Sequence, residues 1–131
     1  MKLLSIILLL ASVSLNAEIV ELSKPVKVTN DEIIATANNH MESAIYWEDE
    51  GYEYNMLEKA KEIYITTIYK DQFGKTEKLE LAASVRSGGF GWHNGYLEGL
   101  SHCSIKLIKN TDGSWKDAKG FADCETDFDE D

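Results

Sequence analysis

Residues 84–103 read SVRSGGFGWHNGYLEGLSHC and hold five of the nine glycines, three aromatics and two of the three histidines. Strand-like segments flank this stretch on both sides, so it is the turning point of a long hairpin. How its two arms align decides which side chains face a core. Asn94-Gly95 favours a two-residue type I′ turn, in which both central residues need positive φ. That turn sets His93 opposite Tyr96 and Trp92 opposite Leu97. Continued without interruption, it would put Ser104 and Lys106 on the same face as Ala83 and Val85. A one-residue bulge at Gly88-Gly89 repairs the parity, placing Cys103, Ile105 and Leu107 on the core face with Leu81, Ala83 and Val85.

Upstream, Ile63–Tyr69 is β-branched and aromatic throughout and reads as a strand. It meets a turn at Asp71–Lys75 and a second strand from Thr76 to Arg86. With Phe73 and Gly74 as the loop residues, Lys70 faces Glu77, Ile68 faces Leu79, Thr66 faces Leu81 and Tyr64 faces Ala83. Charges then pair and an apolar face forms. Downstream, Asn110–Ser114 is the next turn, and a last strand runs from Trp115 to about Glu125. Two cysteines, Cys103 and Cys124, are the whole cysteine complement. In a small exported chain an even count reads as one disulfide rather than a catalytic thiol. It would lock the final hairpin and stabilise the fold by about 3 kcal/mol on chain-entropy grounds.

Further toward the N-terminus, Glu18–Thr29 carries the only proline, Pro25, which permits an edge strand but not a central one. Asn30 reads as an N-cap, with Asp31 and Glu32 in the first turn, where the helix dipole favours acids. Apolar residues at Ile33, Ile34, Ala37, Met41, Ala44 and Ile45 predict a helix from Asp31 to about Trp47. The acids Glu48, Asp49 and Glu50 sit unfavourably at its C-terminus. A loop follows through Tyr52 and Tyr54, then a short helical turn from Met56 to Lys61.

The predicted fold is therefore α+β: one N-terminal helix packed on a four- to five-stranded antiparallel meander, with one disulfide across the last hairpin. In element order this resembles cystatin-like and NTF2-like architectures, and secreted cystatins also carry a disulfide across the final hairpin. The cystatin signature Gln-x-Val-x-Gly is absent. The first turn reads DQFGK, and no Pro-Trp pair stands in a second loop, so protease inhibition does not carry over.

The chain opens MKLLSIILLLASVSLNA, which reads as a secretory signal peptide over residues 1–17. Residues 18–125 form the predicted domain and 126–131 a mobile acidic tail. No later segment reaches the ~20 apolar residues that spanning a bilayer requires, so no membrane role is expected after cleavage. The compartment is extracytoplasmic, periplasmic or secreted, and the mature chain has no N-glycosylation sequon. The whole sequence carries a net charge of −10, and signal removal takes away only Lys2 among the charged residues. Such a chain is unsuited to nucleic acid or an anionic membrane and suits a cationic protein partner.

Catalytic signatures are missing, and no cofactor is expected. His40, His93 and His102 have no metal-ligand spacing. Asp127, Asp129 and Asp131 alternate in the manner of calcium ligands, but the glycine and closing glutamate of such a loop are lacking. Carboxylate pairs such as Glu48, Asp49, Glu50 and Glu53 carry little information in so acidic a chain. What remains is the hairpin tip: Phe90, Trp92, His93 and Tyr96 are the expected binding residues, since stiff aromatics on a glycine-rich turn give contact area at small entropic cost. The sequence thus predicts a small acidic binding protein of inhibitor or immunity type. The competing reading is a small-molecule binder or enzyme using a pocket between helix and sheet, lined by His102, Tyr64 or Trp47.

Overall fold

The computed structural model describes residues 17–91 and 95–129. The strands and helix are β1 (Glu18–Lys27), α1 (Asp31–Ile45), β2 (Trp47–Asp49), β3 (Tyr52–Met56), β4 (Ile63–Lys70), β5 (Thr76–Gly91), β6 (Gly95–Ile108) and β7 (Lys119–Phe128). They make one helix against one antiparallel sheet, as expected, but the sheet has seven strands rather than four or five. β5 is the spine. β4 pairs with its N-terminal half and β3 with its C-terminal half along one edge, while β6 covers the other and carries β7. β1 lies outside β4, and β2 outside β3.

Side-chain alternation along β5 and β6 divides the sheet into two faces. Leu79, Leu81, Ala83 and Val85 of β5 face the core with Cys103, Ile105 and Leu107 of β6, in the predicted partition. The means of reaching it is different. Pairing runs without a shift from Lys78↔Ile108 to Gly91↔Gly95, so no bulge interrupts Gly88-Gly89. Leu97 faces Gly89 and Tyr96 faces Phe90, correcting the expected partners Trp92 and His93. Closure between Gly91 and Gly95 leaves an odd-numbered connection, which sets the parity that the bulge was invoked to mend. Trp92, His93 and Asn94, and with them the type I′ turn, lie outside the described residues.

The β4–β5 register agrees with expectation in the middle, where Ile68 faces Leu79. Shifts at Ile65/Thr67 and Tyr69/Lys70 change its ends: Ile65 rather than Thr66 faces Leu81, Ile63 rather than Tyr64 faces Ala83, and Lys70 faces Thr76 rather than Glu77. Each shift near the core exchanges a polar or amphipathic residue for isoleucine, and Ile63 is fully buried as a result. Pro25 falls in the register break between Glu21 and Val26 on the edge strand β1, where its missing N–H costs no ladder bond.

The helix begins as predicted, with Asn30 Oδ1 accepting from the Ile33 backbone N–H at 3.1 Å. Ile33, Ala37, Met41 and Ile45 form the buried stripe. It ends at Ile45, two residues before Trp47, because Trp47–Asp49 pairs with Tyr52–Tyr54 instead. Glu50 and Gly51, both at positive φ, turn that hairpin. Tyr52–Met56 is accordingly a strand, and the helical turn expected at Met56–Lys61 is replaced by a crossing segment that is tied to the helix. Asn38 accepts from the Ala60 N–H at 2.7 Å and donates to the Ala60 carbonyl at 3.2 Å.

Cys103 and Cys124 stand directly opposite one another on β6 and β7 and form a disulfide with S–S 2.07 Å. The disulfide suggests an oxidising environment. β7 begins at Lys119 rather than Trp115, which is instead buried in the preceding loop beneath the start of the helix. There, Thr36 Oγ1 donates to the Trp115 carbonyl at 2.9 Å, and His40 Nε2–H donates to that of Ala118 at 3.0 Å. β7 also runs past Glu125 to Phe128, so part of the expected tail is strand. Among the described residues no helix is long and apolar enough to cross a membrane.

Candidate functional site

The sheet face turned away from α1 carries the polar side chains of β5, β6 and β7, and it holds an open depression of about 670 Å³. Its floor is small, Ala82, Ser84 and Ser104, because these three lie on adjacent positions of β5 and β6. Its walls are Tyr64, His102 and the carboxylates of Glu62, Asp123 and Glu125. Alternation explains the acids: Asp123, Glu125 and Asp127 point outward while Ala122, Cys124 and Thr126 point in. Three carboxylates around a small-residue floor make a hollow with acidic walls.

His102 sits at the hollow's rim, half-exposed. Its Nε2 lies 3.1 Å from Asp127 Oδ2 and its Nδ1 lies 2.8 Å from Ser84 Oγ. A carboxylate only accepts, so Nε2 bears the proton, and in a neutral imidazole Nδ1 then accepts from Ser84. The connectivity is that of a serine–histidine–acid relay. What nucleophilic catalysis needs besides is a set of donors for the developing oxyanion. The described helix is on the opposite face of the sheet, so no helix N-terminus serves here. The three groups form a polar patch that orients Ser84 and Asp127.

The hairpin tip lies farther along the same outer face. Phe90 and Tyr96 face one another across β5 and β6 with ring centroids 5.8 Å apart in an edge-to-face arrangement. They are 56% and 52% exposed, so they do not cap the core. Tyr96 Oη donates to Glu98 Oε1 at 2.7 Å, and this bond holds its phenol proton tightly and raises its pKa. Trp92 and His93, the other expected tip residues, lie outside the described residues.

Between hollow and tip stands Arg86. It grips Asp129 in a bidentate pair, Nη2 to Oδ2 at 2.7 Å and Nη1 to Oδ1 at 3.2 Å, and reaches Glu98 Oε2 at 3.1 Å. The hydrogen bonds that Arg86 donates to Asp129, and then to Glu98, raise the arginine's pKa, and Asp129 is correspondingly held below the usual carboxylate range. Part of the predicted mobile tail is thereby pinned, with the Asp129 N–H also donating to the Glu98 carbonyl at 2.8 Å.

Of the residues proposed from sequence for a helix–sheet pocket, Trp47 alone lines one; Tyr64 and His102 line the hollow on the outer face. Sequence reasoning missed the grouping of Glu62, Asp123 and Glu125, which only the strand pairing brings together. The alternating acids of residues 123–129 were the available signal. No group of three or more histidine, cysteine or acidic side chains suited to a metal ion occurs among the described residues. Comparison with protein-family models, with curated proteins and with solved structures returned no match.

Proposed function

We propose that this chain is an extracytoplasmic binding protein, periplasmic or secreted, that docks a cationic protein on the outer face of its sheet, in the manner of an inhibitor or immunity protein. The observation that carries this reading is the coincidence on one face of an acidic hollow and an exposed aromatic pair. Phe90 lies six positions beyond Ser84 along β5, which is roughly 20 Å of strand. That span suits a standard interface of about 800 Å² per partner. In it, the aromatic pair would serve as the anchor and the carboxylates as the steering field. The strand–helix–strands order further supports assigning the fold to the cystatin-like or NTF2-like architectures.

The test is capture of partners from the extracytoplasmic fraction on immobilised protein, followed by association kinetics. Binding by the partner should slow steeply between low and high salt, because steering is screened beyond roughly 8 Å at physiological ionic strength. Phe90→Ala with Tyr96→Ala should abolish capture while shifting the melting temperature by only a few degrees, since both rings are more than half exposed. An interaction insensitive to both salt and this double substitution would remove the proposal.

A further inference from the structure

On the helix side of the sheet lies a second cavity of opposite character. Under the C-terminal end of α1, Ile45, Trp47, Tyr54, Leu97, Thr126 and Phe128 line an open-mouthed pocket of about 290 Å³. Among the described residues no charged side chain lines it. Tyr54 and Phe128 meet edge to face at 5.8 Å, and Trp47 forms part of the rim.

The core-facing positions of the central strands change character where they reach this cavity. Val85 and Cys103 give way to Ser87 and Ser101, both fully buried. These serines belong to a line of four hydroxyls across four strands: Tyr54 Oη to Ser87 Oγ at 3.1 Å, Ser87 to Ser101 at 2.6 Å, and Ser101 to Thr126 Oγ1 at 2.7 Å. Four hydroxyls carry four protons, and three bonds consume three of them. When the three bonds run in one direction, the fourth proton falls at one end of the line, and both end residues, Tyr54 and Thr126, line the cavity. Reversing every hydroxyl exchanges the donor and acceptor ends. The line therefore offers a visiting group either a donor or an acceptor at the same place.

We propose that this cavity binds a small neutral amphiphile, its apolar body against Trp47, Leu97 and Phe128 and a single hydroxyl or carbonyl bonded to the hydroxyl line. Its volume sits at the lower end of ligand pockets, which run from ~300 Å³ upward. An anion is disfavoured by the −10 charge of the chain, and a cation would lose water against apolar walls with no carboxylate among the described lining residues. Neutrality is what the walls select.

The experiment is an amide-shift titration of isotope-labelled protein with three probes of equal chain length, hexan-1-ol, hexanoate and hexylammonium, and with toluene. Hexan-1-ol should shift Tyr54, Thr126 and Phe128 saturably, with the two charged probes at least about tenfold weaker. Thr126→Val keeps the shape and removes one hydroxyl, so it should weaken hexan-1-ol by roughly three- to tenfold and leave toluene unchanged, as loss of one neutral hydrogen bond implies. Ala44→Trp, at an exposed helix position on the cavity wall, should block both probes without disturbing the core. Diffuse, unsaturable shifts would overturn the site, as would equal binding by hexylammonium or hexanoate, or unchanged hexan-1-ol affinity in Ala44→Trp.

Discussion

At Gly89, β5 passes close against the backbone of β3. A Cβ added there would lie 2.0 Å from the Glu53 carbonyl oxygen and 2.7 Å from Tyr54 Cα, and its φ of 153° lies in the range favouring glycine. The clash is with backbone, which cannot move without breaking the β3 pairing. Gly89→Ala should therefore cost about 3 kcal/mol or more, in the class of overpacked sites. Gly74 is the control: its φ is also positive, but a Cβ would meet open space, so Gly74→Ala should cost only about 1 kcal/mol. Chemical denaturation of the two variants measures the difference, and similar losses would refute the close approach as the reason for Gly89. Asn38 offers a second residue-scale test. Its amide satisfies both backbone groups of buried Ala60, and truncation strands them at about 1–3 kcal/mol each. Asn38→Ala should lose at least ~2 kcal/mol of stability, and an exposed-surface effect of a few tenths would show that the clamp is not formed.

Among the elements, β7 has an electrostatic anchor, because Asp129 just past its end is pinned by Arg86. The Asp129 carboxyl has a lowered folded-state pKa, owing first to the hydrogen bonds from Arg86. A depressed carboxyl contributes its stability fully above its unfolded pKa of about 3.9 and loses it as pH falls through the lower folded value. Asp129→Asn should therefore speed amide exchange at Asp127 and Phe128 near neutral pH, and the difference from the wild type should narrow below about pH 4. A gap that persists unchanged at low pH would mean that the pair does not hold the strand end. Glu80 follows the same sign, its pKa lowered chiefly by the hydrogen bond from Tyr69 and also by Lys106. The β4–β5–β6 outer face should loosen in the same acidic range.

At the scale of the whole molecule, the disulfide joins the last two strands at their middle. Reduction, or paired Cys103→Ala and Cys124→Ala, should cost about 3 kcal/mol for a loop of 21 residues and lower the melting temperature by roughly ten degrees or more. Intact protein purified from an oxidising compartment should show no free thiol by mass spectrometry under non-reducing conditions. Two alkylatable cysteines would refute the cross-link. The two candidate sites lie on opposite faces of one sheet, so ligand binding beneath α1 and partner docking on the outer face are separable by mutation.

Local chemistry was legible in the residues themselves: the Asn30 cap, the apolar stripe from Ile33 to Ile45, the Ile68–Leu79 pairing and the alternation that sorts β5 and β6 into core and solvent faces. These depend on neighbours within a few residues or on a period of two, so they can be read without knowing where the chain goes next. The β2–β3 hairpin was hidden because its strands are short and acidic and gain their stability by pairing with β5, more than thirty residues onward in the sequence. The bulge expected at Gly88-Gly89 was a local repair for a parity that the odd connection between Gly91 and Gly95 already set. The hydroxyl line was hidden, since it draws single residues from four strands and no spacing marks them, and of the acidic hollow only the alternating acids of β7 showed in the sequence. Periodicity decides which face a side chain takes; only the closing of long loops, with their entropic cost met by burial elsewhere, decides which side chains share it.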